Sequence, residues 1–446
     1  MTPISQMAHK PLFALAVPMI ISNITVPLLG LVDTAVIGHL DHAYYLGASA
    51  VGAMIITFIT WLCGFLRMSS TGLSAQTFGQ QDPVQSFHVL VRGLAVAIGI
   101  ALLVIVLQVP YFDLAFALAG GSDEIQFYGR EYTDIRIWGL PASLGSLVLL
   151  GWLLGQQLAK PVMWLLIITN LVNLSLDLLF VLGFNWGLLG VAWATLIAEY
   201  TGFIIGLLVV TRHLSTKLPD NFSYTDQLKA IVELDKLKQY FALNRDILIR
   251  TLCLEVCFVF ITFQGARLGD DVVASNAILM NFILLISFGL DGIANGAEAL
   301  VGQAKGANNN KQLRTIVDTS LLWTFIFALS YTLFFAVFGH QAIGLISSID
   351  SVNQLASTYL PWIIILPILA CWCYLYDGIY VGLMQARIMR NSMVVSTFGC
   401  FFPVWFILQH YGNHGIWAAF STFMVARGIT LAWHFHRRVM PQNALT

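Results

Sequence analysis

Asp33, Asn173, Asp177 and Thr195 place oxygen ligands inside stretches that are otherwise apolar. Asp33 lies in the run Pro11 to Leu40, which contains no Lys or Arg. A carboxylate in hydrocarbon is costly, so an intramembrane aspartate marks a functional site. Asn173 and Asp177 are spaced i, i+4, which puts them on one helix face. Thr195 stands one turn before Glu199 on the next apolar run. Carboxylates held close together in low dielectric take up protons more readily than isolated ones. With amide and hydroxyl companions they can hold either a proton or a sodium ion, because hard cations take oxygen ligands. Pro18 precedes Asp33 by about four helical turns. It cannot donate to the Ala14 carbonyl, so it weakens the helix and invites a bend.

The elements that must carry these residues are membrane spans. Of 446 residues, 58% are hydrophobic and 10% charged. A soluble domain carries about 25% charged residues, so the composition is that of a polytopic membrane protein. Apolar runs long enough to cross recur twelve times, at about 11–38, 46–77, 86–108, 130–155, 161–183, 188–211, 240–265, 272–304, 313–338, 354–384, 392–409 and 414–435. Counting the 1.5 Å rise from the outer helix ends puts Asp33, Asp177 and Thr195 all roughly 8–10 Å below the outer surface. Three helices thus bring oxygen ligands to one level.

The only long polar stretch, Arg212 to Gln239, separates the first six spans from the last six. Its apolar residues Leu228, Ile231, Val232 and Leu234 predict a short surface helix. The division expected is 1–212 as the amino-terminal lobe, 213–239 as a linker and 240–446 as the carboxyl-terminal lobe. Lys and Arg gather on one side in an alternating count, which predicts cytoplasmic termini and a cytoplasmic linker. The halves repeat: Gly38, Gln76, Gly79, Gly151 and Gly155 each recur 227 positions on, as Gly265, Gln303, Gly306, Gly378 and Gly382. Six spans per half enter the membrane in the same sense, and transporters with such repeats bind substrate near the midplane.

Other chemistries find no purchase. A net charge of -1 and the lack of a basic tract exclude nucleic-acid binding. The six cysteines all lie in apolar runs, and Cys371-x-Cys373 has no partners at zinc spacing. No hydrolase triad or P-loop is present, so neither an enzyme nor an ATP-driven pump is expected, and no cofactor. Asp270-Asp271 lacks the companion aspartates a membrane prenyltransferase needs.

The segments PLLGLVDTAVIGHL, GLSAQTFG with its partner ALVGQAKG, and LLGWLLGQQLAKP resemble the multidrug and toxic compound extrusion (MATE) transporters, in their DinF branch. The resemblance implies an all-α fold of twelve transmembrane helices in two pseudo-symmetric six-helix bundles. It implies a monomeric antiporter in the inner membrane that exports small organic compounds against inward flow of protons, or alternatively sodium. It assigns Asp33, Asn173, Asp177 and Thr195 to a cation cluster coupled to bending of the first span at Pro18. A sister branch suggests a second cation site at Glu255 and Asp377. Met54, Phe58, Trp61, Met280, Phe282 and Phe288 are candidate cavity residues for flat cations. A flippase for a lipid-linked precursor, from the same superfamily, is the alternative.

Overall fold

A computed structural model describes residues 3–38, 43–119, 122–219, 222–223, 227, 233–347 and 349–439; the side chains of residues 3–7, 26–38, 43, 46 and 234 lie outside that description. The surface helix expected around Leu228 to Leu234 falls largely outside it as well.

Among the described residues the regular structure is helical throughout. The first span is one α-helix, Pro3–Gly38, about 54 Å long and unbroken through Pro18. Ten further helices, from Gly47–Gln80 to Asn413–Val439, are long and apolar enough to cross a membrane. The 35-residue helix Leu234–Leu268 completes the set of twelve as the seventh span. The helices overrun the apolar stretches at both ends, as tilted helices do.

Local chemistry sets the breaks. The fourth span, Asp123–Gly155, is interrupted by a 3-10 turn at Ile137–Gly139. Pro141 follows and has no N–H for the Ile137 carbonyl, so Leu140 bonds that carbonyl instead. The fifth span, Ala159–Gly183, turns from α to π at Leu178–Gly183, immediately after Asp177. A short helix absent from the expected layout, Gln108–Ala119, buries Phe112 and Phe116. Its Tyr111 hydroxyl donates to the Ile55 carbonyl at 2.8 Å.

By packing, the chain forms two compact units: Ile21–Phe241, and Met1–Ile20 together with Ala242–Thr446. The first span therefore contributes to both, and its membership changes two residues after Pro18.

The repeat is visible as the same contact made in each unit. A Cβ on Gly151 would lie 2.3 Å from the Arg67 carbonyl, and one on Gly378 2.5 Å from the Ala294 carbonyl. Gly155 stands likewise against the Thr71 carbonyl (2.6 Å) and Gly382 against that of Glu298 (2.5 Å). Arg67 and Ala294, like Thr71 and Glu298, are again 227 positions apart. Small residues let these backbones touch, the means by which membrane helices pack without a hydrophobic driving force between them. In the second unit Phe335, Phe401, Trp417, Phe420 and Phe423 fill the core. All six cysteines are free, five of them buried.

Candidate functional site

The fifth and sixth spans bring Asn173, Asp177 and Thr195 together. Helical spacing stacks Asn173 over Asp177, and the Asn173 amide donates to Asp177 Oδ2 at 2.8 Å. The same Nδ2 reaches Thr195 Oγ1 on the sixth span, Gly187–Ser215, at 3.5 Å. Thr195 donates its own proton to the Val191 carbonyl at 3.0 Å, one turn back. Asn173 and Asp177 are buried, Asp177 completely. Spent as a donor, Asn173 keeps its amide oxygen as a ligand beside the Asp177 carboxylate and the Thr195 oxygen. These are hard oxygen ligands, suited to a proton or a small hard cation. The π turn after Asp177 loosens the helix where such turns often mark functional sites.

Asp33 lies in the helical first span, but its side chain is outside the described residues. A neighbouring contact ties that span to the fifth: Asn170 Nδ2 donates to Thr25 Oγ1 at 3.0 Å, and Thr25 donates to the Ser22 carbonyl. Thr25 was not legible as a partner, because a lone threonine in an apolar run gives no signal of what it faces.

Glu199, one turn from Thr195, is held elsewhere. Arg136 of the fourth span grips both of its oxygens, at 2.8 and 3.0 Å. This fork-to-fork pair is the geometry that makes Arg the preferred partner of a buried carboxylate. Gly139 makes room for it, since a Cβ there would lie 2.1 Å from Glu199 Oε2. An arginine inside an apolar run was the available signal for this pair; its partner was hidden by a separation of 63 residues.

In the other unit Asp377 has two arginines on one oxygen. Arg250 of the seventh span donates to Oδ2 at 2.5 Å and Arg427 of the twelfth at 2.6 Å. Arg427 also lies over the Phe423 ring, 5.3 Å from its centroid. Glu255, expected beside Asp377, is half-buried and forms no ion pair among the described residues. A carboxylate already neutralised by two guanidiniums is a poor seat for a further cation. Of the aromatic residues expected to line a cavity, Phe282 instead packs in the core against Phe335. Met54, Phe58 and Trp61 are exposed on the second span.

A family model described as MatE matches residues 18–179 and 247–407, one stretch from each half. The chain belongs to the MATE family. It is 43% identical over 433 residues to DNA damage-inducible protein F of Escherichia coli strain K12, a match that covers 97% of this chain and 93% of that protein. A probable multidrug resistance protein NorM of Mannheimia succiniciproducens is 23% identical, with 96% and 93% covered. Two solved MATE structures share the fold along the full length of both chains. One is described as a straight conformation (TM-score 0.87, 20% identity) and one as a bent conformation (TM-score 0.86, 19% identity). This MATE chain is accordingly a multi-pass membrane transporter of the multidrug and toxic compound class, not an enzyme. Its first-unit cluster, the Arg136–Glu199 pair and the doubly paired Asp377 are ionic features that a transport mechanism has to use or leave alone.

Proposed function

We propose that the chain is a proton-coupled antiporter of the inner membrane, with cytoplasmic termini, exporting small organic compounds, cationic ones among them, by alternating access. The observation that carries this reading is the buried Asn173–Asp177–Thr195 cluster on two spans. Asp33, on the first span, is its second carboxylate in this account. Two carboxylates that share a site titrate as a pair. Protonation removes a charge and with it the demand for hydrogen-bond donors, so the outer part of the first span is released from the fifth and sixth. Inward flow of one proton supplies about 2.3 kcal/mol per 100 mV of potential and about 1.4 kcal/mol per pH unit. Per proton, that sustains roughly 50-fold accumulation of an uncharged substrate for 100 mV and about tenfold for one pH unit.

The buried arginines favour this site over one at Asp377. Arg136, Arg250 and Arg427 each have a carboxylate partner, and a proton or sodium ion at Asp377 would have to displace guanidinium groups.

Asp33→Asn mimics the protonated form permanently. Cells carrying it should lose resistance to exported compounds while the protein accumulates in the membrane at the wild-type level. Asp177→Asn should lose export too, with its bond to Asn173 retained through the new amide. Wild-type resistance in either variant would remove the cluster from the mechanism.

A further inference from the structure

Within the Ile21–Phe241 unit, the sixth span, Gly187–Ser215, has to hold Thr195 where the fifth span can reach it. The reach is long. Asn173 Nδ2 stands 3.5 Å from Thr195 Oγ1, at the outer limit of a hydrogen bond, so a shift of much less than a helical turn breaks the contact. Asn173 has two amide hydrogens, and its other bond goes to Asp177 Oδ2 at 2.8 Å. The bond to Thr195 therefore helps to fix the plane in which the amide meets the carboxylate. Against the fifth span the sixth presents glycines. A Cβ on Gly202 would lie 2.3 Å from Thr169 Oγ1, one on Gly206 3.0 Å from Leu165 Cδ1 and one on Gly190 3.1 Å from Phe180 Cβ. Such contacts set how closely two helices approach. A glycine has no side chain with which to resist sliding or turning.

Toward the fourth span the sixth is pinned by two consecutive residues. Glu199 takes both arms of Arg136, at 2.8 and 3.0 Å, immediately before the 3-10 turn Ile137–Gly139. Tyr200 donates its hydroxyl to the Trp138 carbonyl, inside that turn, at 2.9 Å. A planar fork fixes direction as well as distance. The second bond, two residues further along the fourth span, opposes rotation about the first. Thr195 stands one turn, about 6 Å of rise, from Glu199 on the same helix face. The pinned point and the long contact to Asn173 are therefore neighbours on one short piece of helix.

We propose that Arg136, Glu199 and Tyr200 are positioning residues for the coupling cluster, holding the sixth span at the height and rotation at which Thr195 engages Asn173. The inference rests on that cluster being the coupling site. It gives the Arg136–Glu199 pair a task beyond mutual neutralisation. A pair that only neutralised itself would work as well with lysine, which carries the same charge without the fork.

The test is efflux of a fluorescent organic cation from sodium-free proteoliposomes, with the pH gradient held constant while absolute pH is stepped. The readout is the pH midpoint of efflux, which a merely structural role does not move. Thr195→Val removes the hydroxyl of the cluster and should shift the midpoint. Tyr200→Phe removes one hydroxyl from an exposed ring, and Arg136→Lys keeps the charge without the fork. Both should shift the midpoint in the direction of Thr195→Val, by about half as much or more. Tyr200→Phe should do so at unchanged melting temperature. Asp113→Asn, which removes the exposed ion pair with Arg130 in the same unit, should leave the midpoint in place. If Arg136→Lys fails to fold, Tyr200→Phe still decides. A wild-type midpoint in Tyr200→Phe or in folded Arg136→Lys, while Thr195→Val shifts, would overturn the positioning role and leave the cluster standing. An equal shift in Asp113→Asn would overturn it too. A wild-type midpoint in Thr195→Val would remove that hydroxyl from coupling, and the positioning role with it.

Discussion

Asp177 and Glu199 are acidic side chains of neighbouring spans with opposite surroundings. Asp177 accepts from the Asn173 amide at 2.8 Å, whereas Glu199 is clamped by both arms of Arg136. Glu199→Gln should therefore leave Arg136 buried without its counter-charge and cost about 3 kcal/mol or more, read as a lower melting temperature in detergent. Replacing both members with apolar residues, Arg136→Met with Glu199→Leu, should recover most of that loss, and no recovery would mean the pair contributes more than mutual neutralisation. The Asn173–Asp177 contact was legible in the chain because helical pitch alone sets it. The Arg136–Glu199 and Arg250–Asp377–Arg427 contacts were not, because they join separate helices, and one sequence carries no record of which helices touch. Glu255 and Asp377 looked equivalent by residue type; two arginines distinguish them.

At the scale of the helix, length and apolarity located the spans, since hydrocarbon thickness imposes them, but their ends lie up to eight residues beyond the apolar stretches, as at Pro3 and Ile346. The interruptions were less readable. The 3-10 turn at Ile137–Gly139 follows from Pro141, yet Pro361 and Pro367 sit inside the continuous helix Asp350–Gly382. Whether a proline breaks a helix depends on what else satisfies the freed carbonyl. Glycines at helix contacts are better defined. Gly151→Leu has no direction in which to move, because the obstacle 2.3 Å from its Cβ is the Arg67 backbone. It should abolish accumulation of folded protein, whereas Gly99→Leu, facing open space, should accumulate normally; fluorescence size-exclusion of both variants checks this. Pro18 is buried within a continuous helix, two residues from the point where the helix changes packing unit. Pro18→Ala restores a backbone hydrogen bond and should favour the straight helix. Wild-type crystals at low and high pH should differ most in the first span, and Pro18→Ala crystals much less. A straight first span at both pH values in wild type would disconnect bending from coupling.

At the scale of the whole molecule, the repeat at 227 residues was readable from matching glycines, and the contacts of Gly151 and Gly378 give it a physical cause. Where the units divide was not readable. The first twenty residues pack with the second half, against Gly292 and Gly296 of the eighth span, Asp270–Gly306, and a hydropathy pattern carries no information about which bundle receives a helix. The first span, like the seventh, Leu234–Leu268, has a share in both units, and in this account the carboxylate of the first span is the one that titrates. The central claim is that protons drive the cycle through the Asp33–Asp177 site. The most direct test is efflux of a fluorescent organic cation from proteoliposomes, with pH and sodium gradients imposed separately. The account predicts efflux in sodium-free vesicles under an acid-outside gradient alone, and none for Asp33→Asn. Strict dependence on a sodium gradient at fixed pH, with no response to the proton gradient, would contradict it.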